Sequence, residues 1–254
     1  MDETKYTFRE HLVELRSRLL RALTLVFLCT IACYFVADQL YSLLSLPMQA
    51  ALPEGSSFVV TGPIEYFLVT LKLSLVAGLF LASPWVLYQF WAFIAPGLYR
   101  NEQRFALGFV VAGSLFFVGG AAFCYFLVLP LGLPLLIGLN PPEVVGMYRV
   151  GEYYSFAIGL LVAFGIAFEL PVVLVLLSLL GLVDPAQLAR YRKYALVLSF
   201  VAGAVLTPPD VISQTSLSLP LYFLFESGLL VSRLLVRGRG RAAEGASPPA
   251  EARL

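Results

Sequence analysis

Charge is what this sequence has least of: only 13% of its 254 residues are Asp, Glu, Lys or Arg, while 59% are apolar. A soluble domain carries about 25% charged residues, so a mean hydropathy of +0.85 excludes that class and leaves a polytopic membrane protein. Histidine occurs once, at His11, and cysteine three times, at Cys29, Cys33 and Cys124. A lone imidazole makes no metal site, and the three thiols lie inside apolar runs, where they behave as small hydrophobes rather than as zinc ligands or a disulfide framework. There is no glycine-rich phosphate loop, and the one histidine is far from the spans that would have to hold a buried serine nucleophile. The composition therefore points away from an enzyme and implies no cofactor or metal. Asp2, Glu3, Glu10 and Glu14 near the start, with no small-residue cleavage site after the first apolar run, argue against a removable signal peptide.

What is present is a succession of apolar runs. Thr7 to Leu20 reads as an amphipathic surface helix, with a Thr7/Glu10 capping box, Phe8, Leu12, Leu15 and Leu19 at helical spacing, and Glu14 paired with Arg18. A first span follows from Ala22 to Ala37 and stops at Asp38. Gln39 to Glu65 is mixed, with an amphipathic piece ending at Pro47. A second span covers Tyr66 to Phe93 with a kink expected at Pro84, and a third runs from Phe105 to Leu129 and ends at Pro130. The fourth, Tyr153 to Leu180, contains Glu169. The last two, Tyr194 to Leu206 and Leu217 to Ser232, are shorter than the roughly 20 residues a hydrocarbon core requires, so they should thin the bilayer or sink the loop between them. Six spans with a cytoplasmic N-terminus leave only Lys72 and Arg149 of the basic residues on the outer side, so both termini are expected inside. Residues 1–236 form the membrane domain in this reading, and 237–254 a basic tail expected to be disordered.

The polar loop after the second span is the organising feature. Its aromatic half, around Trp91 and Phe93, suits headgroup depth, and Pro96-Gly97 turns the chain so that Glu102 stands between Arg100 and Arg104. Glu14 and Glu102 are thus two carboxylates on a basic face. Each either neutralises its arginine neighbours or offers a socket for guanidinium, the cation that bonds carboxylate most strongly. Glu169 lies in an apolar span, where an unpaired carboxylate costs several kcal/mol. It marks a polar site, or it pairs with Lys72, or it bonds within helix packing near Pro171. Glu226, seven residues before Arg233, reads as structural.

Four stretches carry a family resemblance over nearly the whole chain to about Arg237. They are His11-Leu12-Val13-Glu14-Leu15-Arg16-Ser17-Arg18, Trp91-Ala92-Phe93-Ile94-Ala95-Pro96-Gly97-Leu98-Tyr99-Arg100-Asn101-Glu102, Phe164-Gly165-Ile166-Ala167-Phe168-Glu169-Leu170-Pro171, and Leu206-Thr207-Pro208-Pro209-Asp210-Val211-Ile212-Ser213-Gln214. In these the sequence resembles the TatC family, the multi-spanning receptor subunits of the twin-arginine protein translocase.

The resemblance implies an all-α, concave bundle of six transmembrane helices in the bacterial inner membrane that exports folded proteins on the proton-motive force. It implies a twin-arginine signal-peptide site containing Glu14 and Glu102, shaped by Arg16, Arg18, Phe93, Pro96, Leu98 and Tyr99. It places Glu169 on the inner side of the bundle, Thr207 and Gln214 where single-span TatA- and TatB-type partners dock, and Pro47 and Asp210 in the outer loops. The other partners implied are membrane lipid and cargo, not nucleic acid, with self-association left open. The alternative from another class is a proton-coupled small-solute transporter using Glu169, against which stand the absence of an evident inverted repeat and the two short spans.

Overall fold

The computed structural model describes residues 8–53, 56–94, 106–139, 146–206 and 211–245. It is helical apart from one short strand pair: α1 Phe8–Tyr34, α2 Ala37–Ala51, β1 Ser57–Val59, α3 Glu65–Ile94, α4 Ala106–Phe123, a π-helical turn Cys124–Val128, α5 Leu129–Gly138, β2 Met147–Arg149, α6 Val150–Leu179, α7 Pro185–Arg190, α8 Arg192–Leu206 and α9 Val211–Gly245. Five helical stretches among the described residues are long and apolar enough to cross a membrane: Arg9–Tyr34, Glu65–Phe93, Leu107–Gly138, Val150–Leu179 and Gln214–Val236. The remaining expected span, the fifth in chain order, is α8. Its 15 residues make a rod of about 22 Å, against a hydrocarbon core of about 30 Å.

Several boundaries differ from the sequence reading. The expected surface helix and first span are one uninterrupted helix, because Phe8–Tyr34 contains neither Pro nor Gly to break it. The short apolar stretch expected at Leu217 to Ser232 is the middle of the longer α9, which continues through the good helix formers Arg233, Leu234, Leu235 and Arg237 and runs on past Gly238 and Gly240 to Gly245. Pro47 and Pro130, read as terminators, both lie inside helices.

By packing, the chain divides into two compact units, Met1–Ile166 and Ala167–Leu254. In the first, α1 lies along α3 and the two backbones come very close at Gly78, where an added Cβ would stand 2.6 Å from the Thr30 backbone nitrogen. Small residues permit such an approach in lipid, where dispersion rather than water release drives association. Pro84 in α3 has no N–H for the Phe80 carbonyl, and the Ser83 hydroxyl donates to that oxygen at 2.8 Å.

The same problem at Pro47 is solved from farther away. Its missing N–H frees the Leu43 carbonyl, and the Tyr125 hydroxyl, 82 residues on, donates to it at 2.8 Å. Two more phenols hold α2: Tyr153 donates to Leu44 O and Tyr154 to Tyr41 O, each at 2.6 Å. Tyr125 sits in the π turn. Up to the first residue of that turn the buried positions include Val110, Phe117 and Cys124; after it they are Leu129 and Leu133, so the inward face advances by five residues once instead of by three or four. Tyr125→Phe is expected to lower stability by about 1 to 3 kcal/mol, the cost of an orphaned carbonyl. In a Pro47→Ala background the cost should largely disappear, because alanine restores the N–H that the Leu43 carbonyl lacks. Thermal unfolding of the full chain in detergent reads both.

At the far end of this unit β1 and β2 pair in parallel, Ser57 with Met147 and Val59 with Arg149. Glu65, the first residue of α3, accepts from Thr61 N at 2.6 Å, Thr61 Oγ1 at 2.9 Å and Gly151 N at 2.6 Å. Gly151 is in the first turn of α6, so Glu65 caps that helix from a distance, where the unpaired N–H groups and the dipole favour a carboxylate.

In the second unit the end of α6 packs on α9 where a Cβ at Gly228 would lie 2.7 Å from Pro171 Cα. Helices α8 and α9 are tied by Arg192 Nε to Glu226 Oε1 at 2.8 Å, with the Tyr222 hydroxyl donating to the same oxygen at 2.8 Å. Glu226 is thus structural, with Arg192 rather than Arg233 as its partner.

Candidate functional site

The site is built on the first turns of α1. Glu14 and Arg18, one turn apart, form an ion pair in which Arg18 Nε and Nη2 both reach Glu14 Oε1, at 2.9 and 2.6 Å. About three-quarters of each side chain is covered, with 22% of Arg18 and 23% of Glu14 exposed. The pair lines a hollow of about 500 Å³ together with Arg9, Glu10, Val13, Ser17 and Arg21. Only one carboxylate oxygen is engaged by Arg18, and a carboxylate can accept at both. Arg16, two residues along, falls on the far side of the helix and is exposed.

His11 is exposed, as expected, but it is not idle: its ring stacks on Phe93 at 4.3 Å between centroids, with planes 22° apart. Phe93 is in the last turn of α3, so the stack ties that end of α3 to the beginning of α1. Trp91, 5% exposed, packs against Phe109 in the first turn of α4 at 5.2 Å. The end of α3 is thus held by aromatic contacts to both α1 and α4. Pro96, Leu98, Tyr99 and Glu102 themselves lie outside the described residues.

Sequence reasoning missed one member of this region. Gln89 is 4% exposed and its Oε1 has no hydrogen-bond partner among the described residues. A buried polar atom left unpaired is rare enough to need a reason. The signal was available, since Gln89 is the only amide side chain between Tyr66 and Phe93.

The remaining candidates fall elsewhere. Glu169 is half-buried in α6, and its Oε1 is likewise unpartnered among the described residues. Lys72, weighed as its partner, donates to Ser155 Oγ at 3.3 Å. Gln214 Nε2 donates to the Phe200 carbonyl at 3.1 Å, joining α9 to α8. Pro47 is buried inside α2 rather than in a loop. Thr207 and Asp210 lie outside the described residues. Among the described residues no group of three His, Cys, Asp or Glu side chains converges as metal ligands would.

Comparison with known proteins gives this arrangement a context. Residues 10–220 match the family model described as Sec-independent protein translocase protein (TatC). The chain is 45% identical over 240 residues to the Sec-independent protein translocase protein TatC of Azotobacter chroococcum mcd 1, covering 94% of both chains. It is 43% identical over 234 residues to that of Escherichia coli K12, covering 92% of this chain and 90% of the relative. A crystal structure of the twin arginine translocase receptor TatC superposes with a TM-score of 0.78 at 39% identity, over 89% of this chain and 99% of the other.

Proposed function

The chain belongs to the TatC family of Sec-independent protein translocase proteins, and from that membership we propose that it is the subunit that receives twin-arginine signal peptides, with Glu14 and Glu102 accepting the two guanidinium groups. The family makes it a multi-span component of a protein translocase rather than an enzyme. The observation that supports the finer reading is the His11–Phe93 stack, which ties the end of α3 to the helix turn before Glu14; Glu102 follows nine residues later in the sequence. Glu14, whose second oxygen is uncommitted among the described residues, sits in a half-open hollow lined by Glu10 and three arginines and is a carboxylate that a cationic peptide can reach. Arg16, Arg18, Phe93, Pro96, Leu98 and Tyr99 complete the site in this reading.

The rest of the reading follows the family. Single-span TatA- and TatB-type partners dock beside α8 and the start of α9, near Thr207 and Gln214, while Glu169 forms an intramembrane polar site and Asp210 belongs to an outer loop. Residues 1–236 are the membrane domain, both termini are cytoplasmic, and transport of folded cargo draws on the proton-motive force across the bacterial inner membrane. The relatives named above are all translocase proteins, which leaves the small-solute transporter without support.

The test is photocrosslinking of a labelled signal peptide to the full chain in membranes, with probes at Val13 and Leu107, comparing an Arg-Arg with a Lys-Lys peptide. Lysine keeps the charge but loses the planar fork, so the Lys-Lys peptide should crosslink about tenfold less. Equal crosslinking by both peptides would refute guanidinium recognition.

A further inference from the structure

Glu14 is already occupied. Two donors of Arg18 converge on its Oε1, so a strongly held guanidinium on Glu14 has to share the carboxylate with Arg18 or send it elsewhere. A displaced arginine in a place three-quarters covered needs another acceptor, because an ionised group left dry and unpaired is expensive.

The fold holds one in reserve. Trp85, Gln89 and Phe93 are spaced by four on α3 and therefore share a face. The outer two both face α1: Phe93 stacks on His11, and Trp85 lines a hollow with Ser17, Arg21 and Thr24. Gln89, between them, accordingly faces the intervening turn of α1, which is the turn of Glu14 and Arg18. It is 4% exposed and its carbonyl oxygen is unpartnered among the described residues. Burial between α1 and α3 shields it from an external ligand but leaves it open to a side chain of α1. Arginine suits the exchange, since its five donors and long stem let it leave one acceptor for another without losing its place on the helix.

We infer that Gln89 is the acceptor to which Arg18 moves when an incoming guanidinium takes both oxygens of Glu14, so that a first contact at the open oxygen becomes a two-oxygen grip only once Arg18 has left. This rests on the signal-peptide reading given above and adds a regulated occupancy to it. The cost of the displacement is smallest for a ligand whose charge replaces Arg18 geometrically, which favours arginine over lysine in the cargo.

The experiment is a double-mutant cycle on the full-length protein in nanodiscs, reading the Kd of a fluorescent Arg-Arg signal peptide. Gln89→Met keeps the side-chain volume and removes the acceptor. It should weaken binding about tenfold, the loss of one hydrogen bond to a charged group, with Tm unchanged or higher. In an Arg18→Gln background, where nothing has to be moved, Gln89→Met should change the Kd less than about twofold. A loss of the same size in both backgrounds, or no loss in either, overturns the inference. Glu14→Gln is run alongside: if it leaves the Kd unchanged the signal-peptide reading itself fails, whereas a null Gln89 cycle with a weakened Glu14→Gln variant removes only the exchange. A fall in Tm of several degrees for Gln89→Met with a background-independent loss would make Gln89 structural and likewise overturn it.

Discussion

Gly78→Leu is expected to leave almost no folded protein, and Gly78→Ala a clearly destabilised one. A Cβ at position 78 would stand 2.6 Å from Thr30 N, 2.7 Å from Thr30 Oγ1 and 2.8 Å from Thr30 Cα. Two of those atoms are backbone and cannot swing aside. The hydroxyl is also engaged, donating to the Val26 carbonyl at 2.8 Å. The helices must therefore separate, which forfeits dispersion contacts along their whole common length. Overpacking a tight interface costs about 1 to 3 kcal/mol for a methyl group and more for a larger side chain. Because Thr30–Gly78 and His11–Phe93 join the same two helices, the leucine variant should lose peptide binding together with stability. Size-exclusion chromatography of the detergent extract and a thermal ramp decide it. A monodisperse Gly78→Leu protein with an unaltered Tm would mean that α1 and α3 do not approach as described.

The second large effect is on recognition. Glu14→Gln and Glu102→Gln each remove a charge-assisted acceptor contributing about 1.5 to 3 kcal/mol, so the double variant should bind an Arg-Arg peptide about 10²- to 10⁴-fold more weakly. The fold should survive, since Glu14→Gln keeps a neutral oxygen acceptor for Arg18, so the part-buried i,i+4 pair is weakened rather than orphaned. Raising ionic strength should weaken wild-type binding and leave the residual binding of the double variant nearly constant. Isothermal titration over a salt series measures both, and equal affinities for wild type and double variant would end the two-carboxylate account.

The apolar runs made the spans legible, and their ends were correct to within a few residues wherever a charge or a turn closed them, as at Val150–Leu179. Two of the boundary errors fall at prolines, Pro47 and Pro130. Locally, Pro47 is a residue without an N–H in the middle of an amphipathic piece, which reads as a stop. The helix continues because a hydroxyl 82 residues away satisfies the carbonyl that proline abandons, and no local pattern announces such a partner. The β1·β2 pair is three residues on each side, too short for alternation to register, and Glu65 reads as the polar end of a span rather than as a cap for α6. At the site, Glu14, Arg18 and Phe93 could be picked out by residue type. The His11–Phe93 contact could not, because it depends on two helices far apart in sequence lying side by side. Gln89 was passed over as a single polar residue in an apolar run, and only its burial without a partner gives it meaning.

The π turn at Cys124–Val128 makes one stretch of the chain sensitive to length in a way that its neighbours are not. It acts as a phase shifter: the turn holds one residue more than an ordinary helical turn, which rotates everything downstream by about 100°. Deleting any one of those five residues would restore a regular ladder, yet swing Leu129 and Leu133 out toward lipid and carry the phenol of Tyr125 off the α2 carbonyl. Side chains pointing outward there, such as Phe126, can change with little effect, but the spacing cannot. Homologous chains should accordingly vary in composition across this window while conserving its residue count.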